Sequence, residues 1–211
     1  MEIERILEIM EKEAKKRGAP VYALKKKTSD PFKVLVAGIL STRTRDEQTV
    51  SVAERLFERA SNFSEIRKMR VEDLEQLLKG VGFYRNKARI LKEIAEILDG
   101  KEIPSTMEEL LKLPGVGRKV ANIVLSEAFG EETIAVDTHV HRISNRLGIV
   151  STKTPEETEN ELKKKIPEKY WRRINKAFVG YGQTVCKPVN PLCHECRLAL
   201  QCKFYLENRK I

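Results

Sequence analysis

The chain has 211 residues, 41% of them hydrophobic and 34% charged, with 40 Lys and Arg against 31 Asp and Glu for a formal net charge of +9. That length buries one large core or two small ones, and the apolar fraction is too high for disorder to be the default. No stretch approaches the roughly 20 apolar residues of a membrane span, and charges interrupt the N-terminus where a secretory signal would be apolar, so an intracellular protein with no membrane association is expected.

The basic excess favours a polyanionic partner without deciding one. In chain order, Ile3, Ile6, Leu7, Ile9 and Met10 fall at helical spacing, and Gly18-Ala19-Pro20 breaks that helix. Ser29-Asp30-Pro31 combines a capping carboxylate with a proline suited to the first helical position. It predicts a helix over 32–40. The run Val34-Leu35-Val36 lacks the alternation of a half-buried strand, and Val50, Val52, Ala53, Leu56 and Phe57 continue a helical pattern. Further helices are expected over 64–69, 71–78, 86–98, 106–113, 119–129, 138–147, 155–166 and 170–181. Residues 133–136 fit one strand or an extended linker, and the linker is preferred. The expected fold class is all-α.

Two segments echo one another. Leu77-Leu78-Lys79-Gly80-Val81-Gly82 and Leu110-Leu111-Lys112-Leu113-Pro114-Gly115-Val116-Gly117 each read as helix, Gly-Val-Gly turn, helix. Glycine is common just past a helix end, so two unrelated caps would explain both. The flanks of the second copy favour more. Pro114 stops one helix, Gly115 and Gly117 permit a tight turn, and Val116 is placed to plug the turn into the core. Without Cβ atoms a phosphate can approach the backbone, and the next helix, expected from 119, presents its first-turn N–H groups to it. Such contacts position a protein on DNA without reading sequence.

The cysteines are Cys186, Cys193, Cys196 and Cys202, a C-x6-C-x2-C-x5-C array. Thiols crowded into one segment of an intracellular chain point to a metal rather than to disulfides. Structural zinc usually takes two close pairs and only Cys193 and Cys196 are close, so a four-thiolate iron–sulfur cluster is favoured over zinc, which stays open with His194 as a further ligand.

The sequences LPGVGRKVAN at 113–122 and IAVDTHVHR at 134–142, together with the cysteine array, resemble endonuclease III of the helix-hairpin-helix DNA glycosylase superfamily. The resemblance runs in order over nearly the whole chain, including 29–46 and 80–88. It implies two helical domains flanking a DNA cleft: a six-helix barrel over 23–132 carrying the helix-hairpin-helix, and a discontinuous domain of 1–22 and 133–211 carrying a [4Fe-4S] cluster. It also implies a monomeric intracellular enzyme, cytoplasmic or nucleoid-associated, acting on double-stranded DNA with damaged bases or abasic sites. The implied reaction excises oxidised pyrimidines such as thymine glycol and then cuts the strand by β-elimination. Lys119 would be the nucleophile and Asp137 the partner carboxylate. Gly115, Val116, Gly117, Arg118, His139 and Lys187 would contact DNA. Arg43 falls where relatives place a polar residue that enters the vacated base stack, and Phe83 matches an apolar wedge.

The residues carry their own chemistry. A lysine amine attacks only when neutral, against an ordinary pKa of about 10.4, and the positive end of a helix beside Arg118 disfavours a second charge on Lys119. Attack at the sugar C1′ expels the base and leaves an imine that acidifies the sugar for strand cleavage. Asp137 could take up a proton or offset charge on the sugar. Before Thr138-His139-Val140 it is equally a helix cap, and the two roles are compatible. His139 and His141 suit local structure or phosphate contact better than acid–base work. Two departures from relatives bear on function: many have glutamine where this chain has Arg43, and the loop from Cys186 to Cys193 has Lys187 as its one basic residue. Rival readings are a monofunctional glycosylase, which generally lacks the lysine, and a non-catalytic DNA-binding module, which needs neither Lys119 nor Asp137.

Overall fold

The computed structural model describes residues 2–23 and 28–208. It is helical, with no strand among the described residues. The chain forms two compact units, one of Met1–Lys25 with Glu132–Ile211 and the other of Lys26–Glu131. The boundary expected near residue 23 abuts 24–27, which lie outside the described residues.

The continuous unit holds α3 (Pro31–Ser41), α4 (Asp46–Phe57), α5 (Phe63–Lys68), α6 (Val71–Leu78), α7 (Tyr84–Ile97), α8 (Met107–Leu111) and α9 (Arg118–Ala128). Asp30 opens α3 as expected, its carboxylate accepting from Phe32 N at 2.9 Å and Lys33 N at 3.4 Å, with Pro31 in the first turn. The α3 helix is apolar all round because it is covered all round: Phe32, Val34, Leu35, Val36, Ile39 and Leu40 are all buried. This is why its sequence shows neither a strand's alternation nor a clean helical stripe. It lies against α9, and Gly38 lets the two approach, since a Cβ there would stand 3.0 Å from Val120 Cγ1.

The discontinuous unit holds α1 (Ile3–Lys16), α2 (Pro20–Ala23), α10 (Thr138–Leu147), α11 (Pro155–Lys165), α12 (Trp171–Thr184) and α13 (Lys203–Asn208). Gly18, with φ of 65°, ends α1 at the expected break. The helix then packs on α12, where a Cβ on Gly180 would stand 2.9 Å from Ala14 Cβ. Arg173 donates through two nitrogens to the Glu11 carboxylate, at 3.0 and 3.1 Å. Residues 133–136 are buried and belong to neither helix nor strand, and Asn175 Nδ2 donates to Ala135 O at 2.7 Å, so they form a linker rather than a strand. The sequence did not announce α2, α13 or the three short 3-10 turns at Glu168–Tyr170, Cys193–Glu195 and Ala199–Gln201. Single turns bury too few residues to print a period.

Candidate functional site

The second Gly-Val-Gly turn joins α8 to α9. Val116 is buried and its N–H donates to Leu113 O at 3.2 Å, so the apolar residue anchors the turn. Gly115 has φ of 72°, and a Cβ there would stand 2.9 Å from Ile90 side-chain atoms. Gly117 is extended and exposed, and it is the N-cap of α9 with no side chain capping the helix. A glycine cap brings no side chain between the start of α9 and an approaching anion. Arg118 and Lys119 begin this helix, both half-buried.

Asp137 is the N-cap of α10. One carboxylate oxygen, Oδ1, accepts from both His139 N and Val140 N at 2.9 Å. Capping is therefore done by one oxygen of a half-buried carboxylate. Downstream on α10, Arg142 Nη2 lies 3.1 Å from His139 Nδ1 and donates to Cys186 O at 2.9 Å. Burial pushes the Arg142 pKa down, against the opposing pull of the Cys186 side chain. Gly182 packs on the His139 ring so closely that any side chain there would collide with it. His141 Nδ1 meets Thr158 Oγ1 at 2.6 Å. Both histidines have local structural partners, in line with the reading that separated them from acid–base work.

The first Gly-Val-Gly turn joins α6 to α7 and meets the loop between α3 and α4. Gly82 N donates to Thr44 Oγ1 at 3.1 Å, and a Cβ on Gly82 would fall 2.6 Å from Arg43 O. Arg43 and Phe83 both have left-handed backbones, with φ of 51° and 57°. Each costs on the order of 1 kcal/mol and persists only where surroundings impose it. Their side chains meet, the Arg43 guanidinium carbon standing 5.5 Å from the Phe83 ring centroid. Phe83 is 64% exposed, so it is not a core aromatic.

Sequence reasoning missed Lys87. It is buried on the apolar face of α7, and its Nζ donates to Leu40 O at 2.8 Å, Thr42 O at 2.7 Å and Thr44 Oγ1 at 3.0 Å. Burial lowers its pKa to about 8. The signal was present: Lys87, Leu91 and Ile94 share one helical face, and a lysine interrupting an apolar stripe is a candidate for internal use.

The four cysteines carry free thiols and line one small cavity, walled by apolar side chains including Ile143, Leu147, Val185 and Leu192. Arg146 Nη1 reaches Cys186 Sγ at 3.4 Å, and Tyr181 Oη lies 3.0 Å from Cys196 Sγ. Among the described residues, no three His, Cys, Asp or Glu side chains are grouped to hold a single metal ion. Four sulfur donors around one apolar cavity, with hydrogen-bonding partners for their charge, suit a thiolate-bound cluster. His194 is exposed, pairs with Glu195 at 3.2 Å and does not line the cavity. Lys187 is exposed, and its carbonyl accepts from Arg146 Nη1 at 2.7 Å.

Residues 36–168 match the model of the HhH-GPD superfamily of base excision DNA repair proteins. Endonuclease III of Thermotoga maritima is 53% identical over 187 residues, 87% of this chain and 88% of that protein. The chain belongs to the endonuclease III family. Among solved structures, endonuclease III trapped as a covalent intermediate with DNA matches with a TM-score of 0.86 at 36% identity, covering 99% of this chain and 97% of that one. A non-covalent endonuclease III–DNA complex matches with a TM-score of 0.85 at 36% identity, covering 97% and 95%. No helix among the described residues is long and apolar enough to cross a membrane.

Proposed function

We propose that the protein is a bifunctional DNA glycosylase and abasic-site lyase that removes oxidised pyrimidines from double-stranded DNA, acting as an intracellular monomer. The carrying observation is Lys119 in the first turn of a helix whose N-terminus no side chain caps, directly behind an exposed glycine turn. The backbone of the exposed Gly115 and Gly117 receives phosphate there, and the lysine stands where that grip brings the sugar. The neutral amine forms a bond to C1′, and the glycosidic bond breaks with its electron pair leaving on the base. Ring opening gives the iminium form of a Schiff base. Loss of a C2′ proton then expels the 3′ phosphate, and water releases the lysine. Asp137 keeps Oδ1 on its cap and uses its charge and second oxygen for the sugar and for proton transfer.

The base must leave the stack first. Phe83 fills the gap on extrusion, and the Arg43 guanidinium hydrogen-bonds the orphaned opposite base, guanine best. His139 and Lys187 are assigned to the DNA-facing surface in supporting roles. Lys119 belongs to the barrel domain of 23–132, and Asp137 to the cluster domain of 1–22 with 133–211. Cys186, Cys193, Cys196 and Cys202 hold the [4Fe-4S] cluster, which ties the C-terminal loops together and supplies no step in the reaction. Protein purified without oxygen then carries about four irons and absorbs broadly near ~400 nm. Stoichiometric zinc without that absorbance, from iron-replete cells, contradicts the assignment.

The reading is tested on a thymine-glycol duplex by following free base and strand breaks together. Both products should appear at matched rates. Base release that leaves the strand intact until alkali treatment would mean a monofunctional glycosylase, and neither product would mean a binding module.

A further inference from the structure

The buried ammonium of Lys87 is the least expected group in the continuous unit. An apolar side chain at this place on α7 would serve the core without burying a charge. Instead all three ammonium donors are spent on one segment: Leu40 O and Thr42 O, which flank the C-terminal end of α3, and Thr44 Oγ1. The same Thr44 hydroxyl accepts from Gly82 N and donates to Thr42 O at 3.2 Å. The network thus encloses Arg43 from both sides, at residues 42 and 44, and ties it to the turn ending at Phe83. Gly82 closes the arrangement by lying against Arg43 O with no room for a Cβ. Outside the network are the two residues it holds, each in a left-handed backbone and each exposed, with guanidinium against ring.

We infer that Lys87 is a positioning residue for base extrusion, its buried ammonium fixing the 42–44 loop against the 82–83 turn so that Arg43 and Phe83 enter the base stack as one preorganised pair. The inference rests on the reading of Arg43 and Phe83 as stack-entering residues. Preorganisation matters because two exposed side chains on separate turns would otherwise lose their freedom during extrusion itself, slowing that step. Three fixed acceptors around an ammonium also make the arrangement specific: the planar guanidinium of an arginine does not reproduce three donors from one atom.

The test is a double-mutant cycle with the full protein. Lys87→Met keeps the buried alkyl stem and removes the donors, and Phe83→Ala removes the wedge. Single-turnover rates are measured for thymine-glycol excision from duplex and for cleavage at a ready-made abasic site, where no base is extruded. Thermal melting and circular dichroism confirm folding, and Thr44→Val offers a milder break of the same network. We expect each single variant to slow duplex excision at least tenfold more than abasic-site cleavage. The Lys87→Met/Phe83→Ala double variant should be little slower than Phe83→Ala alone, because both act through one step. Multiplying losses, or equal losses on both substrates, would show that Lys87 merely supports the fold and would overturn the inference. If Phe83→Ala itself shows no selective loss, the wedge reading fails instead. If Lys87→Met does not fold, Thr44→Val must show the selective, non-additive loss, and its absence overturns the inference equally.

Discussion

The two Gly-Val-Gly turns are spelled alike and used differently. At 115–117 the first glycine carries the positive φ, the valine is buried, and the last glycine is extended, exposed and uncontacted, with nothing within 4 Å of where a Cβ would be. At 80–82 the last glycine is pressed against Arg43 O and its N–H is taken by Thr44. There the carbonyls of Leu77 and Lys79 are also occupied, by the Arg55 guanidinium. One turn leaves its last glycine open to an outside group, while the other presses its last glycine onto a neighbouring loop. A motif therefore states what a backbone is able to do, and the surrounding side chains decide what it does.

The largest effect tied to this contrast lies at the helix starts. No side chain caps α9, whereas Asp137 caps α10. Asp137→Asn keeps an Oδ1 acceptor for the cap, so the melting temperature should barely move, while base excision falls by about a hundredfold or more from loss of the charge and proton acceptor. Turnover near the native rate would reduce Asp137 to a cap.

The comparison itself is broken or sharpened by one substitution in each turn. Gly82→Ala forces a Cβ to within 2.6 Å of Arg43 O and should cost about 1–3 kcal/mol of stability. Gly117→Ala meets no atom and should change stability by no more than about 0.5 kcal/mol. Affinity for undamaged duplex should show the reverse order, Gly117→Ala losing about tenfold, the worth of one charge-assisted hydrogen bond of roughly 1.5 kcal/mol. Chemical denaturation and a fluorescence-anisotropy titration give both numbers. Equal behaviour of the two variants in both assays would dissolve the distinction.

A pH dependence is also expected at Lys87. Its folded pKa is about 8 against an ordinary value of 10.5, so between those values the unfolded chain holds a proton that the folded chain has shed. Stability rises with pH wherever the unfolded state binds more protons, so this lysine's contribution improves from pH 8 towards 10.5. Its hydrogen-bond partners are two carbonyls and a hydroxyl, and burial is the cause of the shift. The stability difference between the native protein and Lys87→Met should therefore drift in favour of the native protein over that interval. A flat difference would mean that the buried amine keeps its ordinary pKa.

Much of this was legible in the sequence, for identifiable reasons. Asp30-Pro31 at α3 is a local signal that no tertiary contact overrode. The start of α7 was read two residues late because Phe83 is a left-handed cap that no side chain marks. Val116 behaved as a plug because a buried valine between exposed glycines has one place to go. The uses of Lys87, Arg142 and Arg146 were not read. Each is a long cation whose partners are backbone carbonyls far along the chain, and carbonyls are the same at every position, so no sequence pattern names them.

The central claim is that Lys119 becomes covalently bound to DNA. Borohydride added to the protein with a thymine-glycol duplex should trap an adduct, and digestion with mass spectrometry should place the sugar remnant on Lys119. Lys119→Gln should bind the duplex yet trap nothing above background. An adduct mapped to another amine, or undiminished trapping by Lys119→Gln, would contradict the account.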